Sequence, residues 1–227
     1  VENNGRVFSA DRVVTTITNV DYNVFKMFYT LEEEKVVDMW CYKKDYLPTE
    51  FVKSILHLYA NKTTLKGVKG KEVEYLNSKE MLNSCYGMCV TNPLRDEFTY
   101  NGDWDVSHLT ADEINETLGK YNDSRNRFLF YPWGVFVTAY ARRNLFTGIY
   151  ECGDDYIYSD TDSVKLKNGK AHEQYFKEYN SMVEYKLRQA AKHHKISFEL
   201  FEPKTIKGIN KLMGVWDFEG TYSRFKT

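Results

Sequence analysis

The sequence predicts an α+β protein, and three observations predict it. Apolar residues make up 42 % and aromatics 16 % of the 227 residues, enough to fill a core. Segments with helical spacing are mixed with β-branched segments. No internal repeat or βαβ regularity orders them. The same composition excludes a disordered or low-complexity chain. No apolar run approaches the ~18 residues of a spanning helix, so no membrane partner is expected. The length suits one large domain or two small ones. Net charge is −1, from 31 Lys and Arg against 32 Asp and Glu. That excludes a uniformly basic nucleic-acid coat but permits a local basic groove. The chain starts at Val1 with no signal-peptide pattern, which reads as a piece cut from a longer reading frame. Cys41, Cys85, Cys89 and Cys152 make no CxxC pair and no zinc spacing with His. They are expected to be reduced and mostly buried, as in a cytoplasmic protein.

The elements follow in order. Residues 12 to 20 (Arg-Val-Val-Thr-Thr-Ile-Thr-Asn-Val) predict a strand. Asp21 is expected to cap a helix carrying Val24, Phe25 and Phe28. Residues 35 to 42 predict another strand. Pro48 and Thr49 open a helix with Phe51, Ile55, Leu58 and Tyr59 on its apolar side. Residues 60 to 71, with Lys62, Lys66, Lys69, Lys71, Gly67 and Gly70, predict a basic loop. A helix from about Val73 to Tyr86 follows.

Residues 94 to 123 hold eight acids against Arg95 and Lys120. That stretch carries −6, which leaves +5 for the rest of the chain. Asn101-Gly102 and Gly119 are turn signals, and Thr110 with Glu113 forms a capping-box pattern. The stretch reads as an insertion projecting from the main body, or as a solvated acidic loop with no role of its own. Pro132 starts a helix that runs to roughly Tyr150 and stops near Gly153. Residues 155 to 166 alternate like a hairpin, 171 to 194 form a charged helix, and short strands and turns follow from Ser197.

Two segments carry chemistry. In the helix after the basic loop, Lys79, Asn83 and Tyr86 share one face. Met81, Leu82, Cys85 and Met88 are expected on the other, facing the core. A cation, an amide and an aromatic ring suit a nucleoside triphosphate: the Lys neutralises phosphate charge and the ring stacks on a base or sugar. The same spacing also suits an ordinary surface helix, with Gly87 as a plain stop. In the hairpin, Asp160 and Asp162 are two apart and point to one side of an extended chain. Carboxylates inside a run of strand formers are costly unless they sit at an exposed turn or hold cations. Such a pair can hold Mg²⁺ through oxygen, and two ions so held activate a 3′-hydroxyl and stabilise a leaving pyrophosphate. An exposed hairpin tip is the alternative, since Asp and Ser favour turns.

Lys79-Glu-Met-Leu-Asn83-Ser84-Cys-Tyr86-Gly87 resembles the K-x-x-x-N-S-x-Y-G motif of family B DNA polymerases. Tyr158-Ser-Asp160-Thr161-Asp162-Ser163 resembles their Y-x-D-T-D-S motif, and the order is right. The short spacing, with an insertion between the motifs, is similar to the protein-primed subgroup of phages and linear plasmids. Pro132 to Arg142 looks like the palm helix, and Lys211 to Phe225 like the start of the thumb.

The resemblance implies a partial right-hand polymerase. Residues 1–45 would be a palm-side or insertion segment, 46–90 the fingers, 91–131 the acidic insertion, 132–202 the palm and 203–227 the start of the thumb. It implies that Lys79, Asn83 and Tyr86 bind the incoming nucleotide, and that Asp160 and Asp162 are catalytic metal ligands. Tyr158, Ser84, Gly87, Thr161 and Ser163 would lie near the primer terminus and DNA. The implied cofactors are two Mg²⁺ ions, with Mn²⁺ as substitute. The implied partners are a DNA primer-template, dNTPs and a terminal priming protein, and the implied place is the cytoplasm of a host cell.

The first palm motif, D-x-x-S-L-Y-P, which supplies the other metal-binding aspartate, appears nowhere in the sequence. The upstream exonuclease domain and the later K-x-Y motif are absent too. The chain is therefore expected to be an interior piece that does not polymerise by itself. Two further readings stand beside this one. Asp160-Thr-Asp162 is also the DxD of metal-dependent glycosyltransferases, although that leaves the Lys79 helix unexplained. A non-catalytic nucleic-acid- or partner-binding protein is compatible with the basic loop and the many tyrosines.

Overall fold

The structure is a computed structural model that describes residues 2–3, 6–125, 127–128 and 130–222. Its elements run β1 (Glu2–Asn3), β2 (Arg6–Val7), α1 (Asn19–Phe28), α2 (Thr49–Leu65), α3 (Glu72–Val90), β3 (Glu97–Tyr100), β4 (Trp104–Ser107), α4 (Ala111–Asp123), α5 (Tyr131–Cys152), β5 (Tyr156–Asp160), β6 (Ser163–Leu166) and α6 (Glu173–His194). Among the described residues the strands pair as three separate antiparallel hairpins, β1–β2, β3–β4 and β5–β6. Helices and strands are mixed, as the α+β expectation holds. No helix among the described residues is long and apolar enough to cross a membrane.

The chain divides into two compact units. One comprises Val1–Val37 and Val135–Lys167, the other Asp38–Gly134 and Asn168–Thr227. In the first unit, Thr18 rather than Asp21 caps α1. The extended backbone of Thr18 lets its hydroxyl oxygen accept from the Asp21 amide at 3.0 Å. Asp21 sits one turn in, buried, and its carboxylate accepts from Arg142 of α5 through Nε at 2.7 Å and Nη2 at 3.0 Å. The bidentate fork is the strong form of this pair. Its hydrogen bonds hold the Asp21 carboxyl below its ordinary pKa, against the opposing effect of burial. Phe28 meets Phe146 and Tyr150 of the same long helix edge-on, at 5.6 and 5.8 Å.

The strand expected at 12–20 does not form. Residues 12–18 are irregular, and Asn19 and Val20 already belong to α1. The segment at 35–42 is likewise irregular, with Val37 84 % and Trp40 79 % exposed. β-Branched sequence becomes a strand only where a neighbour completes its ladder and covers a face. Among the described residues neither segment has one.

The second unit is built on Leu56, whose side chain is 1 % exposed, with Ala191 and Phe201 packed beside it. Val52, Leu187 and Phe198 extend this core. Phe51, Ile55, Leu58 and Tyr59 are half-buried along α2 as the spacing predicts, but Leu56 lies deepest. Thr49 at the start of α2 bonds His194 Nδ1 at 2.9 Å, and Tyr46 stacks on His193 at 3.8 Å. Burial, aided by His193, lowers the His194 pKa. Near the end of the chain, Asn180 donates to the Trp216 carbonyl and accepts from its amide, both at 2.8 Å.

The expected basic loop is shorter than residues 60–71. α2 continues to Leu65 because Thr63 buries against its neighbours and Thr64 returns its hydroxyl to the Ala60 carbonyl. Only residues 66–71 turn the chain, and Gly67 and Gly70 there both take φ of +78°. α3 then packs back along α2. Its C-terminal end meets the start of α5 so closely that a Cβ on Gly134 would collide with Val90 Cγ1.

The acidic stretch folds as the β3–β4 hairpin followed by α4. Asn101-Gly102 makes the turn, with Gly102 at φ +95°. The capping box is present: the Thr110 amide donates to Glu113 Oε2 at 2.8 Å and the Glu113 amide to Thr110 Oγ1 at 3.4 Å. Gly119, read as a turn signal, instead lies inside α4. The helices expected from Pro132 and over 171–194, and the hairpin at 155–166, form nearly where expected. After Ser197 the chain makes a 3-10 turn and one isolated bridge, Lys204 to Asn210. Residues 223 to 225 of the segment compared with a thumb lie outside the described residues.

Candidate functional site

α3 carries the first group of candidate residues. Its inward stripe is Tyr75, Ser78, Leu82, Cys85 and Cys89, at alternating steps of three and four, with Ser78 and Cys89 buried and the other three half-buried. Met81 and Met88, expected in the core, are exposed instead. Ser78 replaces them because its hydroxyl is satisfied at 2.8 Å by the Glu74 carbonyl of its own helix, so burial leaves no orphan donor. Lys79, Asn83 and Tyr86 lie off this stripe and are all exposed. Among the described residues Lys79 has no ion-pair partner within 4 Å, which leaves its ammonium available for an external anion.

Ser84 and Gly87 sit beside them with different constraints. The Ser84 hydroxyl donates to the Glu80 carbonyl at 2.8 Å, turned back on its own helix. Gly87 is not the helix stop, since α3 continues to Val90. A glycine inside a helix costs about 0.5–1 kcal/mol against alanine. Among the described residues, and beyond its chain neighbours and its own helix backbone, nothing approaches within 4 Å of where its Cβ would stand. Internal packing does not require this glycine, so the space beside Tyr86 is open to something from outside. Lys66 and Lys69 at the α2–α3 turn are exposed, whereas Lys71 is paired with Glu74 at 2.7 Å.

The second group sits at the β5–β6 tip, in the other unit. Asp160 ends β5 opposite Ser163, and Thr161-Asp162 form the two-residue connection. A turn therefore separates the two aspartates, and strand alternation does not relate them. The Asp162 amide donates to the Asp160 carbonyl at 2.6 Å, closing a three-residue turn around Thr161, whose φ is +50°. A β-branched residue rarely adopts that conformation. The Thr161 hydroxyl donates to Asp160 Oδ1 at 3.0 Å, and the Ser163 hydroxyl to the Asp160 carbonyl at 3.2 Å. Both carboxylates are exposed.

The hairpin below the tip is irregular in a defined way. Tyr156 faces Leu166 and Tyr158 faces Lys165, so Ile157 is an extra residue bulged out of the ladder. The Tyr156 and Ser159 hydroxyls bond at 2.9 Å, and the Lys167 amide donates to the Asp155 carbonyl at 2.8 Å, closing the open end. Sequence reading missed the bulge and the left-handed Thr161. Neither leaves a mark in residue type, and the only signal for the turn was a Thr-Asp pair where glycine or asparagine is usual.

Carboxylate oxygens such as those of Asp160 and Asp162 are the hard donors that Mg²⁺ takes. Among the described residues no group of three His, Cys, Asp or Glu side chains is gathered to hold a metal ion. Any ion held by Asp160 and Asp162 would need its remaining ligands from substrate, water or another carboxylate.

The chain resembles one kind of protein in the comparisons. The chain is similar to the DNA polymerase of Bacillus phage Nf, 31 % identical over 153 residues, which are 66 % of this chain and 24 % of that protein. It is similar to that of Bacillus phage B103, 31 % identical over 160 residues, covering 69 % and 25 %. It is also similar to that of Bacillus phage PZA, 32 % identical over 153 residues, covering 66 % and 24 %. The resemblance to phage DNA polymerases is thus borne out. The chain spans about a quarter of the length of these relatives. No family model and no solved structure matches it.

Proposed function

We propose that this chain is a segment of a DNA-directed DNA polymerase of the protein-primed family B kind, with the layout of a partial right hand. The parent enzyme is a nucleotidyltransferase acting in DNA replication in the cytoplasm of a phage-infected host. A primer 3′-oxygen, or a hydroxyl of a terminal priming protein, attacks the α-phosphorus of a dNTP. The new P–O bond forms as the bond to the β-phosphate bridge breaks, and pyrophosphate leaves.

Lys79 neutralises charge on the triphosphate, and Asn83 and Tyr86 line the nucleotide pocket. The open space over Gly87 lets the nucleotide or the template approach the helix backbone. Asp160 and Asp162 would hold Mg²⁺, or Mn²⁺ in its place, which supplies charge neutralisation at the attacking and leaving oxygens. Tyr158, Thr161 and Ser163 shape the surface on which the primer terminus rests. The observation that carries this reading is the Asp160-Thr161-Asp162 turn. A β-branched residue at φ +50° between two carboxylates stores strain that a stable hairpin has no need of.

The test is calorimetric titration of the purified chain with a dNTP, with and without Mg²⁺, beside a primer-extension assay. Binding should require the divalent ion, weaken about tenfold in Lys79→Ala, and vanish in the Asp160→Asn, Asp162→Asn double variant. Primer extension should be absent, since the sequence carries no D-x-x-S-L-Y-P aspartate. Template-directed incorporation by this chain alone would overturn the expected inactivity. Tighter binding of a nucleotide sugar than of a dNTP would favour the glycosyltransferase reading. Salt-sensitive DNA binding without any nucleotide binding would favour a non-catalytic protein.

A further inference from the structure

The β5–β6 hairpin is built in two registers. At its open end Tyr156 faces Leu166, and the Lys167 amide donates to the Asp155 carbonyl. Toward the tip Tyr158 faces Lys165, Ser159 faces Val164 and Asp160 faces Ser163, one residue out of step with the open end. The bulge at Ile157 takes up the difference. It also decides which way Asp160 points. Successive side chains of a strand alternate between faces. Tyr156 is half-buried, so uninterrupted alternation would turn Tyr158 and Asp160 inward with it. The order in the fold is the reverse: Ser159 is half-buried, while Tyr158 and Asp160 are exposed. One extra residue has inverted the strand beyond it, as a one-residue slip does.

A single side-chain bond spans the inversion. The Tyr156 and Ser159 hydroxyls lie 2.9 Å apart. Residues three apart stand on opposite faces of a regular strand, so this bond needs the bulge in place. It ties the open-end register to the tip register. The open end is anchored in its own right, through the Asp155–Lys167 bond and the buried Cys152 that precedes it. Without the tie, the tip is the part left to slip. The open-end register continued past Tyr156 would pair Tyr158 with Val164 and Ser159 with Ser163. Asp160 would then leave the strand and join Thr161 and Asp162 in a three-residue loop.

We propose that the Tyr156–Ser159 pair is a positioning device: it locks the bulge at Ile157 and thereby sets the direction of the Asp160 carboxylate. The inference rests on the reading of Asp160 as a metal-binding carboxylate. Tyr156 and Ser159 are positioning residues, since neither is asked to touch the ion or the nucleotide.

Two measurements on the full chain test it. The first is the register, read from nuclear Overhauser contacts between backbone protons across the hairpin. The parent chain should show Ser159 beside Val164 and Asp160 beside Ser163. Tyr156→Phe and Ser159→Ala should bring in contacts of Tyr158 with Val164 and of position 159 with Ser163. Ser159→Thr, which keeps the hydroxyl, should show the parent pattern. The second is calorimetric titration with MnCl₂ in the presence of dATP. Both variants that lose a hydroxyl should bind Mn²⁺ about tenfold more weakly, and Ser159→Thr should bind it as the parent does. Unchanged contacts and unchanged Mn²⁺ binding in Tyr156→Phe would overturn the proposal, leaving the bond an ordinary stabilising one. A shifted register with unchanged Mn²⁺ binding would overturn the link to Asp160, as would weakened binding in the parent register. If the parent chain binds no Mn²⁺, the metal reading of Asp160 fails, and the register contacts alone still decide whether the pair holds the tip.

Discussion

The two hairpins at β3–β4 and β5–β6 have similar lengths and opposite designs. The first turns through Asn101-Gly102-Asp103 with glycine in the left-handed region, where it costs little. Its strands are exposed throughout. The second turns through Thr161-Asp162 with a β-branched residue in that same region, and every residue of β6 is half-buried. In one, the turn serves folding and the strand faces are the surface. In the other, β6 is half-buried along its length while β5 leaves Ile157 and Tyr158 exposed, and the turn is where conformational energy is stored.

The comparison breaks most sharply at the acidic tip. Asp162→Asn should lower metal-dependent nucleotide binding by more than the ~10–100-fold that a supporting residue near a metal costs. Both aspartates are exposed, so the chemical-denaturation midpoint should barely move. A large stability loss with binding intact would place these aspartates in the scaffold.

Next in size is the support of the unit that carries β5–β6. Arg142→Ala leaves the buried Asp21 carboxylate without its fork and should cost about 1–3 kcal/mol. The Asp21 pKa is lowered in the fold from its ordinary 3.8, so its contribution is full above that value. It is lost as pH falls through the folded pKa. Acid titration of stability should show that loss in the parent chain and not in Arg142→Ala.

The turns themselves should respond with opposite signs. Thr161→Gly removes a left-handed penalty of about 1–2 kcal/mol, partly offset by a more flexible unfolded chain. It should leave stability level or slightly raised while weakening nucleotide binding. Gly102→Ala should loosen the β3–β4 amide protons by about 1 kcal/mol in hydrogen exchange. The rest of the chain should be unchanged. Smallest is Tyr156→Phe, which removes the bond to Ser159 and should cost about 0.5–1.5 kcal/mol.

Sequence reading fared differently in the two kinds of region. Local chemistry was legible: the capping box at Thr110, the helices from Thr49 and Pro132, and the paired strands around Asp160 all follow from contacts a few residues apart. The failures required distant partners. Val13, Val14, Val36 and Val37 are strand formers without a strand to pair with among the described residues. On α3, Ser78 lies inside and Met81 outside because the position of α2 chooses the face, not hydrophobicity alone. The candidate residues themselves were legible as motifs. The strained backbone at Thr161 was not, because the residue that bears it is one that usually avoids it.

The four cysteine thiols give this molecule an unplanned experimental property. All four cysteines are free, with Cys89 and Cys152 buried, Cys85 half-buried and Cys41 exposed. Burial pushes the thiols of Cys85, Cys89 and Cys152 up, away from the reactive thiolate at neutral pH. A maleimide dye added to the folded chain should therefore mark Cys41 first. An optical reporter could be placed in that irregular segment without altering a residue.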